Sequence, residues 1–132
     1  MSDAHSHGST LRPHNKPSGW TRLIRSFSHS ARGLRGCWRE EEAFRQECVL
    51  ALFVLPGGIW LGSNGLERAV LVAPMFLILI VELLNSAVET AIDRIGVEHH
   101  ALSGLAKDLG SAAVLVAFAL LVLDWLLILS GR

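Results

Sequence analysis

The sequence predicts an all-α membrane protein, with three transmembrane helices preceded by an N-terminal amphipathic helix in the membrane interface. Three observations carry this expectation. Apolar residues make up 51% of the 132, and the mean hydropathy of +0.41 is well above that of a soluble domain. Three apolar segments, separated by turn signals, each approach the ~20 residues that cross a ~30 Å hydrocarbon core. Before them runs a stretch with apolar residues on one helical face and arginines on the other.

Residues 1–18 are polar, with Pro13, Pro17 and three histidines, His5, His7 and His14. Nothing there can form a core, and a disordered tail is expected. The membrane domain then occupies 19–132. In its surface helix, about 19–39, Trp20, Leu23, Ile24, Phe27, Ala31, Leu34 and Trp38 form one stripe at the 3.6-residue period. Arg22, Arg25, Arg32 and Arg39 lie off it, as suits a helix lying in a membrane interface. Gly33 and Gly36 weaken the helix.

Glu40 to Glu47 is a charge cluster, and acids suit a helix N-terminus. The first span, about 43–62, carries Pro56, Gly57 and Gly58. Gly62-Ser63-Asn64-Gly65 reads as a tight turn. The second span runs about 66–94 with Pro74 as a potential kink. A polar loop from Gly96 to Ser103 precedes the third span, about 104–129. Asp124 lies ~25 Å along that helix from Lys107 and is expected at the opposite interface. Trp20, Trp38, Trp60 and Trp125 read as interface anchors. Cys37 and Cys48 have no metal-type spacing and read as reduced thiols. The N-terminus has no apolar signal-peptide core, so insertion is expected to rest on the later helices.

Formal net charge is zero, yet eight of the twelve Lys and Arg lie between Arg12 and Arg45. Arg94 and Lys107 flank the loop between spans two and three. By the positive-inside rule the N-terminus and this loop are cytoplasmic. Glu41, Glu82, Glu89, Asp93, Glu98, Lys107 and Asp108 then converge toward the cytoplasmic end from three segments.

The densest chemistry lies in the second span. Glu82, Asn85, Glu89 and Asp93 follow at spacings of three, four and four, which puts them on one side of one helix. Acids on an apolar helix mark function by default. Glu41 and Glu89 could hold Mg²⁺, which prefers oxygen ligands and keeps substrate phosphates in its shell. A lysine can neutralise phosphate charge. Glu82, lying deeper, suits a general base. A buried base beside such a metal site fits phosphoryl transfer from a water-soluble donor to a lipid hydroxyl. A proton relay or cation site in a small transporter fits the spacing equally well. With no GxxxxGK[ST] and no GxGxxG, a P-loop or ordinary protein-kinase fold is excluded.

At these residues the chain resembles the prokaryotic diacylglycerol kinase family. Glu82 to Asp93 is similar to its ExxNSAxExxxD signature, and Ala106 to Val114 to its AKDxGSAAV segment. Glu42 to Glu47, after Gly33-Leu34-Arg35 and Trp38, looks like the Gram-negative branch, and the similarity extends from about Gly19 to Ser130. The resemblance implies a homotrimer in the bacterial inner membrane, with active sites between subunits near the cytoplasmic interface. It implies MgATP-dependent phosphorylation of diacylglycerol to phosphatidate, with no nucleic-acid partner. Carried over residue by residue, Glu82 would be the catalytic base and Glu41 and Glu89 would hold Mg²⁺. Arg22, Glu98, His100, Lys107 and Asp108 would contact ATP, as would Glu41 and Glu89 through the metal. His29, where the family usually has a tyrosine, would neighbour the nucleotide. Asn85 and Asp93 would orient the site. Arg22, Ser30, Arg35, Phe44, Ser111 and Trp125, with Glu82, would meet the lipid. Gly104, Gly110, Ala112 and Ala113 would serve close helix packing. Undecaprenol kinase, the activity of the Gram-positive branch, is the related alternative; a non-enzymatic transporter or assembly subunit is the alternative of another class.

Overall fold

The computed structural model describes residues 19–96 and 100–131; the N-terminal tail and Glu98 lie outside them. Four helices follow in order: α1 (Gly19–Glu40), α2 (Glu42–Leu61), α3 (Gly65–Ile95) and α4 (Ala101–Ser130). No strand occurs among the described residues. The last three helices are each long and apolar enough to cross a membrane, so the protein is an all-α membrane protein. The described residues divide into two compact units, with the boundary between Arg32 and Gly33.

In the first unit α1 exposes Trp20, Leu23, Ile24 and Phe27, so its apolar stripe has no protein cover there. Gly33 and Gly36 do not interrupt the helix, which continues to Glu40. It ends because Glu41 takes an extended backbone, φ −106° and ψ 115°. The Glu41 amide still donates to the Cys37 carbonyl at 2.8 Å. Arg45 closes the corner from the next helix, its Nη1 donating to the carbonyls of Trp38 (3.0 Å) and Arg39 (3.3 Å). A guanidinium there meets the otherwise unpaired carbonyls and the negative end of the α1 dipole together.

α2 carries Pro56 within a continuous helix and stops at Gly62. Arg68 packs so closely on Gly62 that a side chain there would collide with it, and Arg68 Nε donates to the Gly62 carbonyl at 3.0 Å. Asn64 then caps α3, its Oδ1 accepting from the Glu67 amide at 3.0 Å. Glu67 reaches back to the Ser63 amide at 2.9 Å, a reciprocal capping arrangement.

α3 is the central helix of the second unit and packs against both α2 and α4. Leu71, Met75 and Ile78 are fully buried along it, joined in the core by Ala51 of α2 and by Ala117 and Leu121 of α4. Pro74 lies within the same buried face. Trp125 Nε1 donates to the Leu71 carbonyl at 3.0 Å, tying α4 to the start of α3. α4 begins at Ala101 rather than near Gly104, because His100 takes the cap position and its Nδ1 accepts from the Leu102 amide at 3.2 Å. Leu52, Phe53, Leu115, Val116, Val122, Leu126 and Leu127 point outward and exposed. So large an exposed apolar surface suits lipid rather than water.

Candidate active site

Gly58 of α2 lies so close to Leu71 and Val72 of α3 that an added Cβ would come within 3.1 Å of both side chains. Continuing that antiparallel register residue for residue brings Glu47 opposite Glu82, and Glu41 opposite Glu89. The acids therefore form two rungs between α2 and α3, roughly 9–10 Å apart along the axes.

Both rungs line one cavity of about 600 Å³, together with Asn85 and with Ser111 of α4. Apart from Gln46, its remaining wall is apolar, including Leu50, Val114 and Phe118. The deep rung is the more enclosed: Glu82 is 4% exposed and Glu47 5%. Glu41 and Glu89 are half-buried. Among the described residues no Lys, Arg or His lines the cavity.

Asn85 stands between the rungs. Its Nδ2 donates to Glu89 Oε1 at 3.2 Å, while its Oδ1 is buried without a partner. Gly110 of α4 presses directly on that Oδ1, and any side chain at 110 would displace it. The close approach of Gly110 thus fixes the amide's orientation and with it the hydrogen bond that Nδ2 gives to Glu89.

Beyond the shallow rung, Lys107 Nζ pairs with Asp93 Oδ1 at 2.7 Å. This joins α4 to the last turn of α3 and leaves Asp108 exposed. The Lys107 side chain is 39% exposed and that of Asp93 65%, so this is an ion pair at the protein surface. His100 is exposed at the start of α4. On the other flank of α3, Cys37 Sγ and Ser86 Oγ lie 3.5 Å apart. Burial pushes the Cys37 thiol above its ordinary range, and the Ser86 hydrogen bond offsets part of that. A thiol in such surroundings is a packing group rather than a nucleophile.

The cavity thus gathers Glu41, Glu82, Asn85, Glu89 and Ser111 from three helices. Phe44 is 4% exposed and does not line it. Trp125 lies toward the other end of the bundle, at Gly57 and Leu71. Arg35 is exposed on α1. In the first unit Arg22 is exposed, Ser30 Oγ donates to the Ser26 carbonyl at 3.1 Å, and His29 Nδ1 lies 2.7 Å from Arg32 Nη2. Glu98 falls outside the described residues.

Sequence reasoning passed over Glu47. Its signal was present: Phe44, Glu47, Ala51 and Gly58 are the buried positions of α2 and share one face. A charge within that stripe is the anomaly to look for.

Among the described residues no three His, Cys, Asp or Glu side chains group as metal ligands. A pair of carboxylates suffices for Mg²⁺, which usually takes one or two protein carboxylates and completes its shell with water and substrate phosphates. Glu41 and Glu89 supply two carboxylates to the same cavity wall.

Comparison with known proteins agrees with this architecture. Residues 28–129 match the family described as prokaryotic diacylglycerol kinase. A diacylglycerol kinase of Escherichia coli (strain K12) is 46% identical over 115 residues, covering 87% of this chain and 94% of that protein. One from Haemophilus influenzae is 44% identical over 110 residues, covering 83% and 93%. One from Pseudomonas aeruginosa is 40% identical over 119 residues, covering 90% and 97%. A chain that matches over this length and carries three apolar spans around a carboxylate-lined cavity is a membrane-embedded kinase, and it belongs to the prokaryotic diacylglycerol kinase family.

Proposed function

We propose that the chain transfers the γ-phosphate of MgATP to the free hydroxyl of diacylglycerol, giving phosphatidate for phospholipid recycling. The observation that carries this reading is the cavity itself, with carboxylates and an amide at one end and an apolar wall at the other. An amphiphile whose reacting hydroxyl sits where its acyl chains begin matches that polarity.

Glu82, on the enclosed rung, accepts the proton of the lipid hydroxyl. The lipid oxygen forms its bond to the γ-phosphorus as the bond from that phosphorus to the β–γ bridging oxygen breaks. The bonding pair leaves with ADP, and Glu82 ends protonated. Glu41 and Glu89 would hold Mg²⁺, which supplies neutralisation of phosphate charge when bound. Asn85 fixes Glu89 through its Nδ2. Lys107, freed from Asp93, serves the phosphates as a point cation. Asp108, His100, Glu98, Arg22 and His29 complete the nucleotide contacts in this reading. Ser111 holds the glycerol end of the lipid, and Arg35, Ser30, Phe44 and Trp125 meet the lipid elsewhere. The working unit is a homotrimer in the inner membrane. The excess of Lys and Arg before the first span supports a cytoplasmic N-terminus and cavity mouth, on the side where ATP is.

The test is transfer of labelled γ-phosphate in mixed micelles, with diacylglycerol and undecaprenol offered separately. Label is expected in phosphatidate alone and is abolished by Glu82→Gln, while ATP affinity stays nearly intact. Label in undecaprenyl phosphate would move the acceptor to the Gram-positive type. Label in neither lipid, from folded protein, would overturn the kinase reading of this cavity.

A further inference from the structure

The reaction above uses three of the four acids on the cavity wall and leaves Glu47 without a task. Glu47 is 5% exposed, and its Oε2 is buried with no hydrogen-bond partner. It stands opposite Glu82 across the α2–α3 seam, near enough for the two charges to act on each other. The other titratable groups around the pair are Glu41 at the α1–α2 corner, Glu89 on α3 and two thiols, Cys37 of α1 and Cys48 of α2, the residue after Glu47. α4 contributes Ser111 and apolar side chains, and its Lys107 is turned to Asp93. Among the described residues no cation therefore shares the cavity wall with the deep rung.

Two carboxyl groups closed in one apolar seam without a cation do not both ionise, because the second charge must form against desolvation and against the first. Their protons belong to the pair rather than to either residue. We propose that Glu47 keeps the proton of this pair and donates it as a hydrogen bond to the Glu82 carboxylate, which makes Glu47 a positioning residue for the base. One Glu82 oxygen is then held by the Glu47 O–H, and the other is left free for the proton of the lipid hydroxyl. A neutral donor also lets Glu82 stay anionic although it is largely enclosed. During transfer Glu47 keeps its proton, Glu82 gains one, and Glu82 returns that proton to solvent as product leaves. The unpartnered Oε2 of Glu47 is the oxygen available to carry that proton.

The proposal rests on Glu82 being the base. The test compares Glu47→Gln, which keeps a neutral hydrogen-bond donor of similar length, with Glu47→Met, which keeps only the volume. Glu47→Gln is expected to retain kcat within about threefold. Glu47→Met is expected to lose about a hundredfold or more in kcat, with the MgATP KM changed by no more than about twofold. Infrared spectra of the wild type at neutral pH are expected to contain the C=O stretch of a buried protonated carboxyl, and Glu47→Gln removes it. A Glu47→Gln variant as inactive as Glu47→Met, with either folded as the parent oligomer, would overturn the proposal by showing that Glu47 works as an anion. So would a fully active Glu47→Met, or a wild-type spectrum without the band. Glu82→Gln is run beside them: if it still transfers phosphate, the base assignment falls first, whereas an inactive Glu82→Gln beside an active Glu47→Met removes only the role of Glu47.

Discussion

Glu82 and Glu89 sit two turns apart on one helix and live in different surroundings. Glu82 is enclosed between α2 and α3, while Glu89 is half-buried and steadied by Asn85. That difference separates their proposed tasks and gives Glu89→Gln a signature of its own. The variant is expected to need more Mg²⁺ for half-maximal rate, by about tenfold or more, the scale of losing one carboxylate from a site with few protein ligands. Unchanged Mg²⁺ titrations would remove it from the metal's shell. Gly110 offers a second check at the same scale. A Cβ there meets Asn85 Oδ1, so Gly110→Ala must turn the amide and loosen Glu89. Because small misplacements at a reacting centre cost up to about a hundredfold, kcat should fall by about tenfold to a hundredfold with the fold retained. The face bearing Glu82, Asn85 and Glu89 was legible in the sequence because their spacing repeats the helical period in an otherwise apolar run. Glu47 was passed over, because the string of charges from Glu40 to Glu47 masks its place on the same helical face as Phe44 and Ala51. Only the packing of α2 on α3 separates it from its exposed neighbours.

Helix ends decide where these side chains stand. Glu41 owes its place to the break between α1 and α2, and Arg45 fastens that break to the Trp38 and Arg39 carbonyls. Removing the guanidinium leaves two helix-end carbonyls without their charged donor, a loss of about 1–3 kcal/mol. Arg45→Ala is therefore expected to lower the thermal midpoint of the detergent-solubilised protein and to raise the MgATP KM by about tenfold. Its kcat should stay within a few-fold, because the deep rung is untouched. Equal losses in kcat and KM effects from Arg45→Ala and Glu82→Gln would contradict a role confined to the corner. The sequence foretold a break between the surface helix, to about 39, and the first span, from about 43, but not that a single extended residue, Glu41, makes it. The start of α4 was similarly hidden. A polar stretch reads as loop, and the capping nitrogen of His100 pulls its last residues into the helix.

For the whole molecule, the fold class was legible because it rests on bulk quantities. Three long apolar segments leave few arrangements besides spanning helices, whatever the local deviations at Pro56, Pro74 or the glycines. What composition cannot give is which helix is central. That follows from Leu71, Met75 and Ile78 being enclosed on α3 while most of α4 faces outward. The length of α3 has a further meaning. Its 31 residues measure about 46 Å, well beyond a ~30 Å hydrocarbon core, so the helix cannot lie wholly within the bilayer's oil. Glu82 rides on that rod at a fixed height, whereas the reacting hydroxyl of a lipid floats at a height set by its own leaflet. The enzyme then gauges membrane thickness. In bilayers of one headgroup and graded acyl length, the turnover rate is expected to pass through a maximum and fall on both sides, without a matching change in ATP affinity. A flat profile would mean that the lipid climbs or sinks freely to meet the carboxylate; a peaked one would make hydrophobic mismatch a governor of the chemistry.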